Sequence, residues 1–356
     1  MKTSSRLLTA IAAMVISLYA QAYPGESIVL DPATGNYTIT YQGDSNSTEL
    51  SQTVFVPSTK VVPTIHSSFR LEDKGAIVYR YTVSNGASAR QAIVGVVLDQ
   101  IVNPIIGELP IPSVLQNATP EENAAYDAAE RAALSTPAGW YGSIHRFQGE
   151  YPDRIYWMPN HPISTGGIQA GHTLTGFGFS SFDLPGIWPS QMDGVGEVLG
   201  FPDEGPVDGS AVLDELNRLR DNDFVTRAAA VPMIAVPAPF DAAVLLERIQ
   251  TQMHTWIGMQ LIDPAFLAQM DRTFQSAISA YRLNQPKVGK KHIQTMRALI
   301  KKEYADVDKE DDNDERGEKG YHDDKNKRNQ IGKLAARVLD FDLKYVMKRM
   351  GGEKDD

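Results

Sequence analysis

Residues 76–83 read AIVYRYTV, and this stretch decides the fold class that the sequence predicts for most of the chain. Its β-branched and aromatic side chains favour extended backbone and make it the clearest strand in the sequence. Ser84, Asn85 and Gly86 follow it, and an Asn-Gly pair adopts positive φ angles at little cost, so a turn is predicted there. A strand closed by such a turn is typical of an antiparallel sheet.

Short runs of the same kind recur on both sides of this strand. The further predicted strands, separated by Gly, Pro, Asn and Ser, are 37–41, 52–56, 91–98, 142–147, 154–158, 172–179 and 228–236. Because amphipathic helices do not alternate with them, an antiparallel sandwich is favoured over βαβ units. We predict an α+β chain with an Ig-like β-sandwich over residues 23–236 and helical insertions near 120–134 and 210–220.

The pattern changes at residues 237–239, a Pro-Ala-Pro run that predicts a linker. Apolar residues then recur at spacings of three and four in segments that begin near residues 241, 264, 286 and 331. Asp241 and Asp263 are suitable helix N-caps. The sequence therefore predicts an antiparallel four-helix region over 240–350, with an acidic, flexible insert at 303–330.

The first 22 residues have the three parts of a secretory signal peptide. Lys2 and Arg6 are followed by an apolar stretch, Leu7–Ala20, and then by small residues at the cleavage site, so the mature chain is expected to begin near Tyr23. The apolar stretch is shorter than the roughly 20 residues of a membrane-spanning helix. We expect a periplasmic or secreted protein with no stable membrane span after cleavage.

The composition excludes several classes of site and partner. The chain has no cysteine, which excludes disulfides, thiolate metal sites and a cysteine nucleophile. Loss of Lys2 and Arg6 with the signal would change the formal net charge from −10 to −12. Eleven acidic and three basic residues lie between Glu303 and Asp324, and no basic stripe with interleaved aromatics compensates them. A nucleic-acid partner is therefore not expected.

No local catalytic signature is present, so no catalytic residue is assigned. The sequence lacks Gly-x-Ser-x-Gly, His-Glu-x-x-His, a Walker loop and a Gly-x-Gly-x-x-Gly that follows a strand. One alternative is a hydrolase on extracellular polymer, whose general acid and base would come from His145, His161 or His172 beside Asp153 or Asp183. Imidazoles with a carboxylate could also bind zinc. The competing interpretation is that these are separate histidines with ordinary hydrogen bonds.

Aromatic residues suggest a glycan-binding surface in the β-rich part. Exposed flat rings bury area against sugar rings, while nearby polar groups bind hydroxyls. The residues predicted for this role are Trp140, Tyr141, Tyr156 and Trp157. The alternative is core packing, because strand alternation would hide about half of these rings.

The acidic insert partly resembles a calcium-binding loop. Asp312, Asp314 and Asp323 occupy the first, third and twelfth positions, and Gly317 occupies the sixth. Arg316 stands at the fifth position, where an oxygen ligand is required. The sequence predicts no other cofactor, and the alternative is a solvated loop whose charges repel one another.

The helix predicted before this insert is basic. Its positively charged side chains and histidine are Lys287, Lys290, Lys291, His292, Arg297, Lys301 and Lys302. We interpret them as neutralising the acidic insert, with each exposed pair contributing less than about 1 kcal/mol.

Four stretches carry a resemblance to bacterial exported proteins of uncharacterised function. These are YRYTVSN at 79–85, the GxTxxGFxFSSxxLPG pattern at 171–186, the segment 240–267, and IGKLAARVLDFDLKYVMKRM at 331–350. The resemblance implies a β-sandwich ahead of a helical part with a charged insert, but no activity and no functional residues. We expect an exported, non-enzymatic binding or scaffolding protein for a protein or glycan ligand, with a hydrolase or a calcium-dependent adhesion module as the alternatives.

Overall fold

The chain is α+β, and every strand pairing among the residues that the structure describes is antiparallel. The structure is a computed structural model. It describes residues 23–43, 49–101, 119–145, 153–160, 166–198, 201, 205–304 and 329–351. The predicted signal peptide lies outside these residues and stays a prediction.

Thirteen strands lie in this part of the chain. They are β1 (Ser27–Asp31), β2 (Asn36–Gln42), β3 (Leu50–Val56), β4 (Pro63–Leu71), β5 (Ile77–Asn85), β6 (Ile93–Ile101), β7 (Leu134–Ser135), β8 (Trp140–His145), β9 (Asp153–Pro159), β10 (Thr173–Ser181), β11 (Leu184–Gly194), β12 (Glu197–Val198) and β13 (Val225–Ile234).

Six helices lie in the same residues. They are α1 (Pro120–Ala133), α2 (Ala211–Asp221), α3 (Ala242–Thr255), α4 (Pro264–Arg282), α5 (Pro286–Glu303) and α6 (Lys333–Arg349). The predicted caps form: the Asp241 side chain accepts hydrogen bonds from two backbone N–H groups at the start of α3, and the Asp263 side chain accepts one from the Ala265 amide at the start of α4. None of the described helices combines the length and the apolar composition needed to cross a membrane.

The chain divides into two compact units. The first takes the described residues up to Ser58 together with Gly196–Asp223. Its sheet has the order β1-β2-β3-β12, and α2 packs against one face. The buried apolar cluster of this unit consists of Ile39, Tyr41, Phe55, Val212 and Leu216. Both carboxylate oxygens of Asp223 lie 2.8 Å from the Ser58 amide nitrogen, which joins the two segments of this unit.

The second unit takes Thr59–Val195 and the described residues from Phe224 onward. It contains one sheet of order β4-β5-β10-β7 and another of order β13-β11-β6-β9-β8. Aromatic side chains from the two sheets pack together, since the ring of Trp157 on β9 lies 5.6 Å from Phe177 on β10 and 6.4 Å from Tyr81 on β5. The centre of this unit is therefore an aromatic core between two sheets.

Helices α3 to α6 belong to this same hydrophobic core. Phe341 on α6 meets Phe69 on β4 edge to face at 5.0 Å, and the Gln252 side chain on α3 donates a hydrogen bond to the Ile187 carbonyl on β11. The division into units thus differs from the boundary predicted at 237–239. The apolar faces of these helices bury against strands as well as against one another.

Asn85 has a different role from the one that the sequence suggests. Strand β5 continues through Asn85, and neither Asn85 nor Gly86 has a positive φ, so the predicted turn is wrong. The Asn85 side chain is buried, accepts a hydrogen bond from the Val62 amide, and donates to the carbonyls of Gln91 and Ile168. It therefore links three chain segments through a fully bonded amide.

Candidate functional site

The structure separates the four aromatic residues predicted for glycan binding into two pairs. Trp140 and Trp157 are 7% and 0% exposed, and both rings contact Phe177 in the core. They pack the protein interior and present no ring to a ligand. The alternative interpretation of the sequence, core packing, describes these two residues.

Tyr141 and Tyr156 lie on the opposite face of β8 and β9. Gly142 pairs with Trp157 and Ser143 pairs with Tyr156, so side chains alternate between the core and the other face along both strands. Tyr141 is exposed and Tyr156 is half-buried. Two of the predicted rings therefore share one accessible face of the sheet.

Polar side chains surround Tyr156 on this face. The His145 ring lies edge-on to it, with the two ring centroids 6.5 Å apart. Arg154 pairs with His145 in the strand register, and its guanidinium forms an ion pair with Asp99 on β6. Ser143 lies directly across the strand pair from Tyr156. These groups offer both hydrogen-bond donors and acceptors beside one aromatic ring.

Asp193 on β11 brings a further carboxylate to the same face. It pairs with Gly95 on β6, and a Cβ at Gly95 would lie only 1.7 Å from the carboxylate oxygen Oδ1 of Asp193. The glycine therefore leaves the space that the Asp193 carboxylate occupies. Burial, with a contribution from the negative charge of Asp193, raises the pKa of Tyr156, so this hydroxyl remains a neutral donor and acceptor. We call Tyr141, Ser143, His145, Arg154, Tyr156 and Asp193 the tyrosine face.

Helix α1 completes the edge of this sheet. The Glu130 carboxylate on α1 is buried and accepts a hydrogen bond from the Ile144 amide of the edge strand β8. Burial, with the nearby Glu130 and Asp127 as further contributions, raises the pKa of Tyr141. The helix insertion that the sequence predicts near 120–134 thus caps the sheet edge next to the tyrosine face.

A second unusual group lies inside the protein. Asp342 on α6 is completely buried, and neither carboxylate oxygen has a hydrogen-bond partner in the part of the chain that the structure describes. Burial raises the pKa of Asp342 well above its ordinary value. The pKa of Tyr79 is also raised well above its ordinary value, mainly by burial and further by nearby Tyr81, Asp342 and Asp183. The Tyr79 hydroxyl donates a hydrogen bond to the Asp183 carbonyl at 2.7 Å.

The histidine and aspartate set of the hydrolase alternative does not come together in the described residues. His172 directly precedes β10 and Asp183 follows it, so the strand holds them about 30 Å apart. His172 is exposed, whereas Asp183 is buried. His145 lies on the tyrosine face. His161 and the Asp153 side chain lie outside the described residues.

The sequence suggests two metal sites, a zinc site formed by histidines with an aspartate and a calcium site in the acidic insert. Within the described ranges, no group of three or more His, Asp or Glu side chains has the arrangement of a metal site. Asp312, Asp314 and Asp323 lie outside those ranges, so calcium binding by the acidic insert stays a prediction.

Compared with protein-family models, curated proteins and solved structures, the chain matches none of them.

The sequence did not indicate that Arg154, Asp99 and Asp193 belong to the site. Arg154 can be identified from the sequence, because it lies two residues before Tyr156 on the same strand and therefore on the same face of the sheet. Asp99 and Asp193 reach the site only through the pairing of β6 with β9 and β11, which is not visible in a local pattern.

Proposed function

We propose that the chain is an exported, non-enzymatic binding protein that binds glycan at the tyrosine face. The observation that carries the proposal is Tyr156, a half-buried ring flanked by the His145 ring and near the Asp193 carboxylate. A half-buried ring keeps one part free for contact while its orientation is held by the sheet.

Carbohydrate recognition requires this mixture of groups. The apolar faces of sugar rings pack on aromatic rings, and their hydroxyls need paired donors and acceptors. Ser143, Arg154 and Asp193 supply hydroxyl, guanidinium and carboxylate groups close to Tyr156 along the strands. Because strands hold these groups, little conformational entropy would be lost on binding.

The test is a titration of the chain against a panel of neutral and acidic oligosaccharides, measured by calorimetry. Tyr156→Ala should weaken binding by about tenfold or more, because it removes the ring on which the sugar packs. Asp193→Asn should weaken binding by a similar factor if the carboxylate accepts hydrogen bonds from sugar hydroxyls.

The matched control is Phe182→Ala. Phe182 is an exposed aromatic residue in the turn between β10 and β11, so its loss removes a ring without touching the tyrosine face. Equal weakening by Phe182→Ala and Tyr156→Ala, or no binding to any oligosaccharide of the panel, would refute glycan binding at this face.

We infer that the two sheets of the second unit form an Ig-like sandwich and that the helices after residue 240 form an antiparallel four-helix region. The aromatic packing between the sheets and the sequential order of α3 to α6 support this. Export to the periplasm or the exterior, with a glycan or protein ligand and no nucleic-acid partner, rests on the predicted signal peptide and the acidic net charge.

A further inference from the structure

The hairpin formed by α4 and α5 is the basic part of an acidic chain. No Asp or Glu occurs between residues 272 and 302, whereas eight Lys and Arg residues do, and the whole chain has a formal net charge of −10. From the sequence, the cations of α5 are expected to neutralise the acidic insert. The structure gives one of them another partner, because Arg297 forms an ion pair with the buried Asp340 on α6 at 2.8 Å.

The turn between these helices has a fixed shape. Helix α4 ends with Asn284 in the left-handed conformation at φ 54°, and the Gln285 and Asn284 amides donate to the carbonyls of Ala280 and Tyr281. This is a Schellman motif, which satisfies the end of the helix. Pro286 then begins α5 with the φ that a helix requires. The tip of the hairpin is therefore a well-bonded turn.

Apolar side chains project from this tip. Leu283 is 69% exposed, the highest value for a large apolar residue in the described chain, and Val288 is also exposed. All residues from 282 to 288 are exposed. Leu283 is therefore mostly accessible to solvent in the described chain, and the exposure of its apolar side chain has a cost in free energy.

Cations surround these apolar side chains. Arg282 pairs with Glu247 on α3, and Lys287 and Lys291 are exposed one helical turn apart on α5. The tip, defined as residues 282–291, thus combines aliphatic side chains and lysines on a convex turn.

We propose that this hairpin tip docks on the surface of an anionic lipid bilayer. The boundary between headgroups and acyl chains accepts isolated aliphatic side chains, and the negative surface potential attracts adjacent lysines. Because the rest of the chain is acidic, the same potential repels it and orients the basic tip toward the lipid. The protein binds as a peripheral molecule through this tip, independently of the tyrosine face.

The experiment is vesicle co-sedimentation of the chain from Tyr23, the first described residue, because the predicted signal peptide would bind lipid by itself. Vesicles are made of phosphatidylcholine alone, or with about one-third phosphatidylglycerol. We expect partitioning into the anionic vesicles to exceed that into neutral ones by about tenfold or more at low salt, and to fall as salt rises.

Two variants and one control locate the contact. Leu283→Ser should lower partitioning by about fivefold, and the pair Lys287→Gln with Lys291→Gln by about tenfold or more. Ile257→Ser is the control, because Ile257 is an exposed apolar residue near the opposite end of α4. It should partition as the unaltered chain does.

The proposal is overturned if the chain shows no preference for anionic vesicles, or if the tip variants bind as the control does. Binding to soluble polyglutamate but not to the vesicles would also overturn it, in favour of an acidic protein partner. Thermal melting of each variant checks that the fold is intact, and oligosaccharide binding at the tyrosine face should be unchanged in all of them.

Discussion

A single buried carboxyl, Asp342, imposes the clearest local cost in the described structure. A charged carboxylate inside a protein without hydrogen-bond donors is strongly disfavoured, so the neutral acid is the form that the folded state accommodates. The folded-state pKa of Asp342 is raised well above the value near 3.9 of an unfolded chain. Folding and proton binding at this side chain are therefore linked.

This linkage predicts that Asp342→Asn raises the melting temperature at pH 7 and that the gain disappears near pH 4. The neutral Asp342 carboxyl contributes fully to stability below the pKa that Asp342 has in the unfolded chain. This contribution is lost as the pH rises through the higher pKa of Asp342 in the folded protein. The amide cannot ionise, so it avoids that loss. Melting curves followed by circular dichroism between pH 4 and pH 8 measure the difference.

Asp73→Asn serves as the matched control, because Asp73 is exposed in the turn between β4 and β5. It should leave the pH profile of the melting temperature almost unchanged. A melting temperature of Asp342→Asn below that of the unaltered chain at pH 7 would contradict the linkage between folding and proton binding at Asp342.

At the scale of elements, α4 and α5 approach each other closely at one glycine. An added Cβ at Gly289 would lie 2.6 Å from the Tyr281 ring, so only glycine allows this packing without a shift. Tyr281 is half-buried, and burial raises its pKa. The hairpin that presents the basic tip therefore depends on the ring of one helix lying on the bare backbone of the next.

Gly289→Ala is predicted to destabilise the protein, which is opposite to the usual effect in a helix. Alanine in a helix interior is normally more stable than glycine by about 1 kcal/mol, but here the clash with Tyr281 outweighs that gain. In the background Tyr281→Ala the clash is absent, and the same Gly289→Ala change should become stabilising. Urea unfolding of the four chains gives the two differences.

The decisive outcome is that Gly289→Ala lowers the free energy of unfolding in the unaltered chain but raises it in the Tyr281→Ala background. Helix propensity alone predicts that Gly289→Ala is stabilising in both backgrounds. A gain in stability from Gly289→Ala in the unaltered background would show that the two helices can separate without cost.

At the scale of the whole molecule, the chain forms two hydrophobic cores in two compact units. The smaller unit is assembled from two segments separated by more than a hundred residues, and its buried set is small. Because the two clusters share no residue, we expect a mutation in one core to act mainly on that core.

Leu216→Ala is predicted to loosen the first unit selectively. Leu216 is completely buried on α2, and its truncation should cost about 2 to 5 kcal/mol. Hydrogen exchange measured by mass spectrometry should accelerate in β2 and β3 while β5 and β6 keep their protection. Leu219 is only partly buried on the same helix, so Leu219→Ala should accelerate hydrogen exchange less than Leu216→Ala does. Equal acceleration in both units would mean that they unfold together.

Local patterns determined much of this protein. Periodicity and capping residues predicted the six helices and eight of the thirteen strands of the described residues, because a helical repeat or a strand alternation spans only a few consecutive residues. Strand β11 was missed since Pro185 and Pro189 usually argue against a strand. In the structure, Pro185 lies opposite Pro232 next to a register shift, so neither residue has to supply an amide there.

What the sequence by itself determined, then, is the α+β class, the order of the elements and the absence of cysteine chemistry. The tertiary structure alone decided that Trp140 and Trp157 are core while Tyr141 and Tyr156 share an accessible face, that Asp193 joins them, and that the helices after residue 240 bury against strands. The physical reason is that dihedral preferences and periodicity are local, whereas the partner of each face is set by contacts between residues far apart in the chain.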